Sequence, residues 1–217
     1  MFNDSQLALF FAAALLLAVT PGPGIFYVAA RTLAGGRAEG VASSIGTGLG
    51  GMVHVLAGSI GVSALVLASA ELFTMLKLLG ALYLAWLGVR TILAARRDAL
   101  AATTGSGAMA PAGTRRAFRE GVLVEALNPK TAAFFLAFVP QFVDPAAGRV
   151  AVQFAVLGLV SVVLNTLADV AVAHAASRVR AGVAGRPALV CRLRAASGAA
   201  MIALGLGLLL ARRPAAG

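Results

Sequence analysis

Apolar residues fill long runs in this chain, and polar positions gather either between the runs or at a few defined points inside them. The runs fall near Leu7 to Ala30, Val41 to Ala70, Phe73 to Ala95, Gly121 to Val143, Val150 to Ala176 and Ala195 to Ala211. A helix rising about 1.5 Å per residue crosses a hydrocarbon core of about 30 Å in about 20 residues, so each run meets or approaches the length of a span. The pattern predicts an all-α integral membrane protein with six transmembrane helices. Composition agrees: of 217 residues, 60% are hydrophobic and 12% charged. The mean hydropathy of +0.92 lies far outside the range of soluble domains.

Two runs are interrupted in the same way. Thr20-Pro21-Gly22-Pro23-Gly24 breaks the first, and Asn128-Pro129-Lys130 breaks the fourth. Proline lacks an N–H, so Pro21 and Pro23 leave the carbonyls of Leu17 and Val19 without their helical partners, while glycine permits unwound backbone. In hydrocarbon such breaks are tolerated only where they face protein or water. Each is either a packing kink or part of a substrate site built on a discontinuous helix.

Charge sets the expected topology. Thirteen of the 18 basic residues flank the first, third and fifth connections, from Arg31 and Arg37, through Arg90 to Arg119, to Arg178 to Arg194. Lys and Arg accumulate beside spans on the cytoplasmic side, which places both termini on the non-cytoplasmic side. The connection at 96–119, with Thr103-Thr104-Gly105-Ser106-Gly107 in its middle, reads as a cytoplasmic linker whose basic ends attract anionic lipid. It divides one transporter domain into a repeat at about 1–95 and a second at about 120–217. Three spans is an odd number, so the second repeat enters the membrane with opposite polarity. The broken first and fourth helices then occupy corresponding positions, the best sequence pointer to a transporter's site.

A charge at the centre of a bilayer costs on the order of 3 kcal/mol on insertion scales, so each one inside a run needs a reason. Glu125 and Lys130 flank the second break, and Asp169 lies deep in the fifth run. Lys130 forms a structural bridge with Asp169 or Glu125, or one carboxylate takes a coupling proton or a substrate ammonium. Ser161, Asn165 and Asp169 recur every four residues, and Ser44, Thr47, Gly51, His54, Gly58 and Gly61 follow spacings of three and four, so each set forms an inward stripe. Ser44, Thr47, Ser161 and Asn165 are candidate pore-lining residues. His54 is a proton carrier or a hydrogen-bonded packing residue. Glu120, at the boundary of its run, is expected to be solvated.

Other classes find little footing. Gly46-Thr47-Gly48-Leu49-Gly50-Gly51 matches a dinucleotide fingerprint by letters, but no strand precedes it. Little aromatic interleaving accompanies the net charge of +10, which argues against nucleic acid. A single cysteine and two histidines make no ordinary zinc site, and no cofactor or enzyme motif is present. The alternatives are an ion or metal-cation transporter or channel of similar architecture, and a non-transporting membrane partner protein.

Thr20-Pro21-Gly22-Pro23, the glycine-rich second run with His54, then Lys77, Gly80, Tyr83-Leu84 and Gly88, Asn128-Pro129-Lys130, Phe134-Phe135 and Pro140-Gln141-Phe142 together resemble the LysE/RhtB family of amino-acid exporters. The resemblance implies an inner-membrane exporter of amino acids or close derivatives, driven by protons or the membrane potential and able to form homodimers. It covers nearly the whole chain. One departure bears on the cargo: after Thr-Pro-Gly-Pro the family commonly has asparagine, and this chain has Gly24. A zwitterion requires an anion site, for which the half-helix start at Pro21 to Gly24 and Lys130 are candidates, and a cation site, for which the freed carbonyls, Asn128, Asp169 and Glu125 are candidates.

Overall fold

The computed structural model describes residues 4–68, 71, 74–75, 78–79, 81–83, 85–86, 89–90, 92–93, 111–179, 199, 202–203 and 206. Most of the expected third and sixth spans, Lys77, and the linker up to residue 110 lie outside the described residues. Among the described residues the regular structure is helical, with no strands. The helices are α1 (Asp4–Val19), α2 (Pro23–Gly35), α3 (Arg37–Ala68), α4 (Thr114–Ala126), α5 (Pro129–Ala133) and α6 (Val150–Val179). Two of them, α3 and α6, are long and apolar enough to cross a membrane. The count rises to four if α1 with α2, and α4 with the segment Pro129–Phe142, are each one bent span.

Helix α1 is apolar all round, but its faces differ in burial. Phe10, Ala13, Ala14, Leu17 and Ala18 point inward at the three-and-four spacing of one helical face, while Leu9, Leu15, Leu16 and Val19 remain exposed. Exposed leucines on a membrane helix need no partner in water, because lipid tails are as apolar as they are. The chain then unwinds over Thr20 to Gly22 and turns by 44° into α2, with Pro23 at the start of the new helix, where its missing N–H costs nothing.

Helix α3 is the centre of the bundle, packing against α2, α4 and α6. Its glycines explain how closely α4 approaches. A methyl group at Gly46 would lie 2.2 Å from the Phe118 carbonyl, and one at Gly50 would lie 2.4 Å from the Val122 carbonyl. From the other side, Gly121 presses against the Ser43 carbonyl. The fingerprint-like glycines are therefore a helix-packing surface within one continuous helix, not a loop that cradles phosphate. The stripe of α3 faces inward from Ser44 through Gly58, and Gly61 at its end is exposed.

The second break is sharper in chemistry. Helix α4 begins at Thr114, inside the stretch assigned to the linker, and ends at Ala126; the chain then bends by 40° into Pro129–Phe142. That segment changes pitch along its length. Pro140 has no N–H for the Leu136 carbonyl and its ring crowds that position, and the chain passes through a widened π turn at Phe134–Phe138 into a tight 3₁₀ turn at Val139–Phe142. The rings of Phe10, Phe134, Phe135, Phe138, Phe142 and Phe154 gather around this turn, with Phe10 edge-on to Phe142 at 5.2 Å. Beyond it, buried Gln153 donates to the carbonyls of Asp144 and Gly148 and accepts from the Asp144 N–H, which fastens the turn at 143–149 to α6.

Candidate functional site

The two breaks meet. Lys130, only 3% exposed, sends its ammonium across from the second break to the first, donating to the carbonyls of Thr20 at 2.8 Å and Leu17 at 3.2 Å. The Leu17 carbonyl, which Pro21 leaves without its i+4 donor, also accepts the Thr20 N–H at 3.2 Å. Lys130 thus completes the backbone of a helix in the other half of the chain. Among the described residues it makes no ion pair: neither Glu125 nor Asp169 lies within 4.0 Å of its nitrogen, and the structural bridge expected as one possibility does not form.

Asn128 organises the break from which Lys130 departs. Its side-chain oxygen accepts the backbone N–H of Lys130 at 3.0 Å, the bond of a helix N-cap. Its amide donates to Glu125 Oε2 at 2.9 Å, while Thr131 Oγ1 donates to Oε1 at 2.6 Å. The Glu125 carboxylate is therefore held by two groups from beyond the break. Its backbone carbonyl accepts from His54 Nε2 at 2.9 Å and from the Asn128 N–H at 3.0 Å. A carbonyl only accepts, so Nε2 of His54 carries a hydrogen, and the ring takes the hydrogen-bonded packing position in this conformation.

The first break supplies backbone and space. At Gly22 a methyl group would sit 3.1 Å from the Lys130 side chain, and at Gly24 one would sit 2.7 Å from Glu125 Oε2. Neither contact admits a side chain without displacing a charged group. Thr20 turns its hydroxyl back onto the Leu16 carbonyl at 2.5 Å, and Gly22, with no side chain to cap α2, takes an extended conformation ahead of Pro23. Pro21 and Pro129 act through what they remove.

Beside the breaks, Thr47, Ser161, Asn165, Glu125 and Thr131 surround a cavity of about 20 Å³ between α3 and α6. That is room for about one water molecule and too little for an amino acid. Asp169 lies one to two turns further along α6, fully buried, with Oδ2 2.7 Å from Thr47 Oγ1 and Oδ1 without a partner. Ser44 and Ser161, both buried, turn their hydroxyls onto the carbonyls of Gly40 and Leu157 in their own helices.

A second cluster was missed from sequence. Arg31 and Glu120 form an ion pair between α2 and α4, with the Tyr27 hydroxyl accepting from Arg31 Nε at 3.2 Å and placing its one hydrogen within reach of the Ala117 carbonyl at 2.9 Å and Glu120 Oε2 at 3.1 Å. Arg116 holds the other oxygen of Glu120 at 2.7 Å. The expectation that Glu120 is merely solvated is corrected: three side chains fix it, and they clasp the ends of two broken helices. Nearby, buried Glu39 accepts the N–H groups of Ala112 and Gly113, fixing the chain as it enters α4. The spacing of Tyr27 and Arg31 by one helical turn was the available signal, but it named no partner.

A helical, membrane-embedded protein whose two broken helices meet has the arrangement that secondary transporters use at their sites. The chain is a member of the LysE type translocator family, whose sequence model matches residues 15–212. It is similar to a homoserine/homoserine lactone efflux protein of Salmonella typhimurium, 32% identical over 202 residues that cover 91% of this chain and 92% of the relative. An uncharacterised membrane protein of Vibrio cholerae serotype O1 is 34% identical over 154 residues, 71% of this chain and 72% of the relative. A leucine efflux protein of Klebsiella pneumoniae is 29% identical over 154 residues, 70% of each. No solved structure matches.

Proposed function

We propose that this protein exports amino acids or close derivatives across the cell inner membrane, by alternating access of two inverted three-helix repeats joined by the cytoplasmic linker. The observation that carries this reading is the junction of the two breaks through Lys130 and the carbonyls of Leu17 and Thr20. Broken helices that meet beside a polar chamber are how transporter folds place bare backbone and a few ions around a small polar cargo. The named relatives support the substrate class, since their names describe efflux of homoserine, homoserine lactone and leucine. The homodimer and the placing of both termini on the non-cytoplasmic side belong to the same proposal.

In this reading the structure is a closed form. The chamber is too small for cargo, and the Arg31–Glu120 clasp seals it on the side where basic residues accumulate, the cytoplasmic side. Cargo enters when the clasp opens and α2 swings from α4.

Asp169 is the site of the coupling proton. Thr47 Oγ1 lies within reach of two acceptors, the Ser44 carbonyl at 2.8 Å and Asp169 Oδ2 at 2.7 Å, yet a hydroxyl has one hydrogen to give. A proton on Asp169 resolves the conflict, because the carboxyl then donates to Thr47 while Thr47 donates to Ser44. Loss of that proton removes one of the two bonds and loosens α3 from α6.

The test is efflux of a panel of amino acids from loaded vesicles carrying the wild type, Lys130→Ala or Asp169→Asn, at matched protein abundance. Export at a rate well above protein-free vesicles, lost in Lys130→Ala and uncoupled from the proton gradient in Asp169→Asn, supports the reading. Unimpaired, proton-driven efflux in both variants removes these residues from the mechanism.

A further inference from the structure

A proton bound at Asp169 needs a way in and out. The side chain is fully buried in α6 and is not part of the chamber wall, and among the described residues its one hydrogen bond is with the Thr47 hydroxyl at 2.7 Å. Thr47 does line the chamber, and so does Glu125. A space of about 20 Å³ takes one water molecule, and at that size the water lies within reach of both, with Thr131, Ser161 and Asn165 as further polar neighbours. Thr47 therefore stands between the buried carboxyl and the chamber. Charge points the same way. Lys130 brings one positive charge to this region, and Glu125 and Asp169 bring two negative charges when both are ionised, so one proton held by the two carboxyl groups makes the set neutral, as a low-dielectric interior favours. His54, the other titratable group here, has Nε2–H on the Glu125 carbonyl. Glu125 accepts one bond on each oxygen, from Asn128 and Thr131, and each oxygen keeps capacity for another.

We infer that Thr47 is a proton relay, which passes a single proton between Asp169 and Glu125 across the chamber. The Thr47 hydroxyl turns from the Ser44 carbonyl into the chamber and gives its hydrogen to the water there; the water gives one of its own to Glu125, and Asp169 replaces the hydrogen that Thr47 has lost. One O–H bond breaks at Asp169 and one forms at Glu125. Thr47 and the water end as they began, and the negative charge has moved from Glu125 to Asp169. Cargo uses the same space. When the chamber opens and cargo enters, it takes the place of that water and interrupts the relay, so cargo and proton cross at different times, in exchange for each other. The hydroxyl is the part of Thr47 that does this: valine keeps the shape of the side chain without it, and serine keeps it without the methyl group.

The relay rests on the export reading with Asp169 as its proton site, and the experiment separates their failures. Proteoliposomes are loaded with labelled leucine or labelled homoserine, and two rates are read at matched protein abundance: efflux driven by an imposed proton gradient, and exchange of labelled for unlabelled amino acid with no gradient. Thr47→Val is expected to lower the ratio of driven efflux to exchange at least about tenfold, as loss of a proton-transfer group does, and Thr47→Ser to stay within about threefold of the wild type. Glu125→Gln, which removes the far end of the relay, is expected to lower the same ratio. A merely structural Thr47 would slow both processes together. A wild-type ratio in Thr47→Val, whether the two rates are kept or fall in step, therefore overturns the relay and leaves export standing. Should Thr47→Val fail to fold, the wild type in heavy water decides: driven efflux must slow more than exchange, because only driven efflux hands protons along hydroxyl groups, and equal slowing overturns the relay. If neither amino acid leaves wild-type vesicles faster than protein-free ones in either mode, the export reading falls and the relay falls with it.

Discussion

The two broken helices have proline at the same place and opposite chemistry around it. The first break, Thr20 to Gly24, offers carbonyls and empty space; the second, Glu125 to Thr131, offers an ammonium, a carboxylate, an amide and a hydroxyl. Neither is stable alone in hydrocarbon. The first has bare acceptors and the second has charges, and each satisfies what the other exposes. The difference teaches that the pair is one structure distributed over two distant segments, so a defect on one side is felt on the other. It also divides the labour, with the polar side chains on the second break and the room for them on the first.

That division can be broken in graded ways. Lys130→Ala should do the most damage, because it strips a charged donor from each of two buried carbonyls of the other helix, of which that of Leu17 keeps only the Thr20 N–H. Two charge-assisted bonds contribute on the order of 3 kcal/mol, and the variant should unfold at a visibly lower temperature in detergent and lose export. Asn128→Ala removes an N-cap, about 1 kcal/mol by itself, and also releases Glu125 Oε2, so transport should fall further than stability does. Gly22→Ala pushes only on the flexible end of Lys130, at 3.1 Å, and should slow export a few-fold with a small change in melting temperature. Glu120→Gln, at the half-exposed clasp, should change stability least, by less than about 1 kcal/mol, yet raise cytoplasmic accessibility of the chamber to a thiol reagent. Equal effects from Gly22→Ala and Lys130→Ala would contradict the assignment of roles.

Much of this was readable before any coordinates, and the reason is physical. A proline or a charge inside an apolar run has few explanations, so Pro21, Pro23, Pro129, Glu125, Lys130 and Asp169 marked themselves. Their partners did not. Lys130 was expected near a carboxylate because Coulomb's law makes that the first guess, and only the structure shows backbone carbonyls taking its place. Arg31 and Glu120 lay at the ends of runs, where every charge looks like a solvated one, and their pairing depends on how α2 and α4 cross. The start of α4 at Thr114 was hidden for a related reason: its first turns are polar, and hydropathy alone places the boundary where apolar residues begin. Gly46 and Gly50 of α3 stood out in the sequence only through the letters of a dinucleotide fingerprint, and the close carbonyls of Phe118 and Val122 assign them to helix packing.

The central claim is that cargo passes through the chamber where the two breaks join, and cargo protection tests it most directly. In a Cys191→Ser background, Asn165→Cys in the chamber wall is compared with Leu127→Cys, which lies on the second break but is 78% exposed on the outer face of the bundle. The account predicts that a small thiol reagent labels position 165 in transporting vesicles, and that the compound being exported slows this labelling severalfold while leaving position 127 unchanged. Labelling at 165 that is indifferent to cargo in a protein that still exports would contradict it.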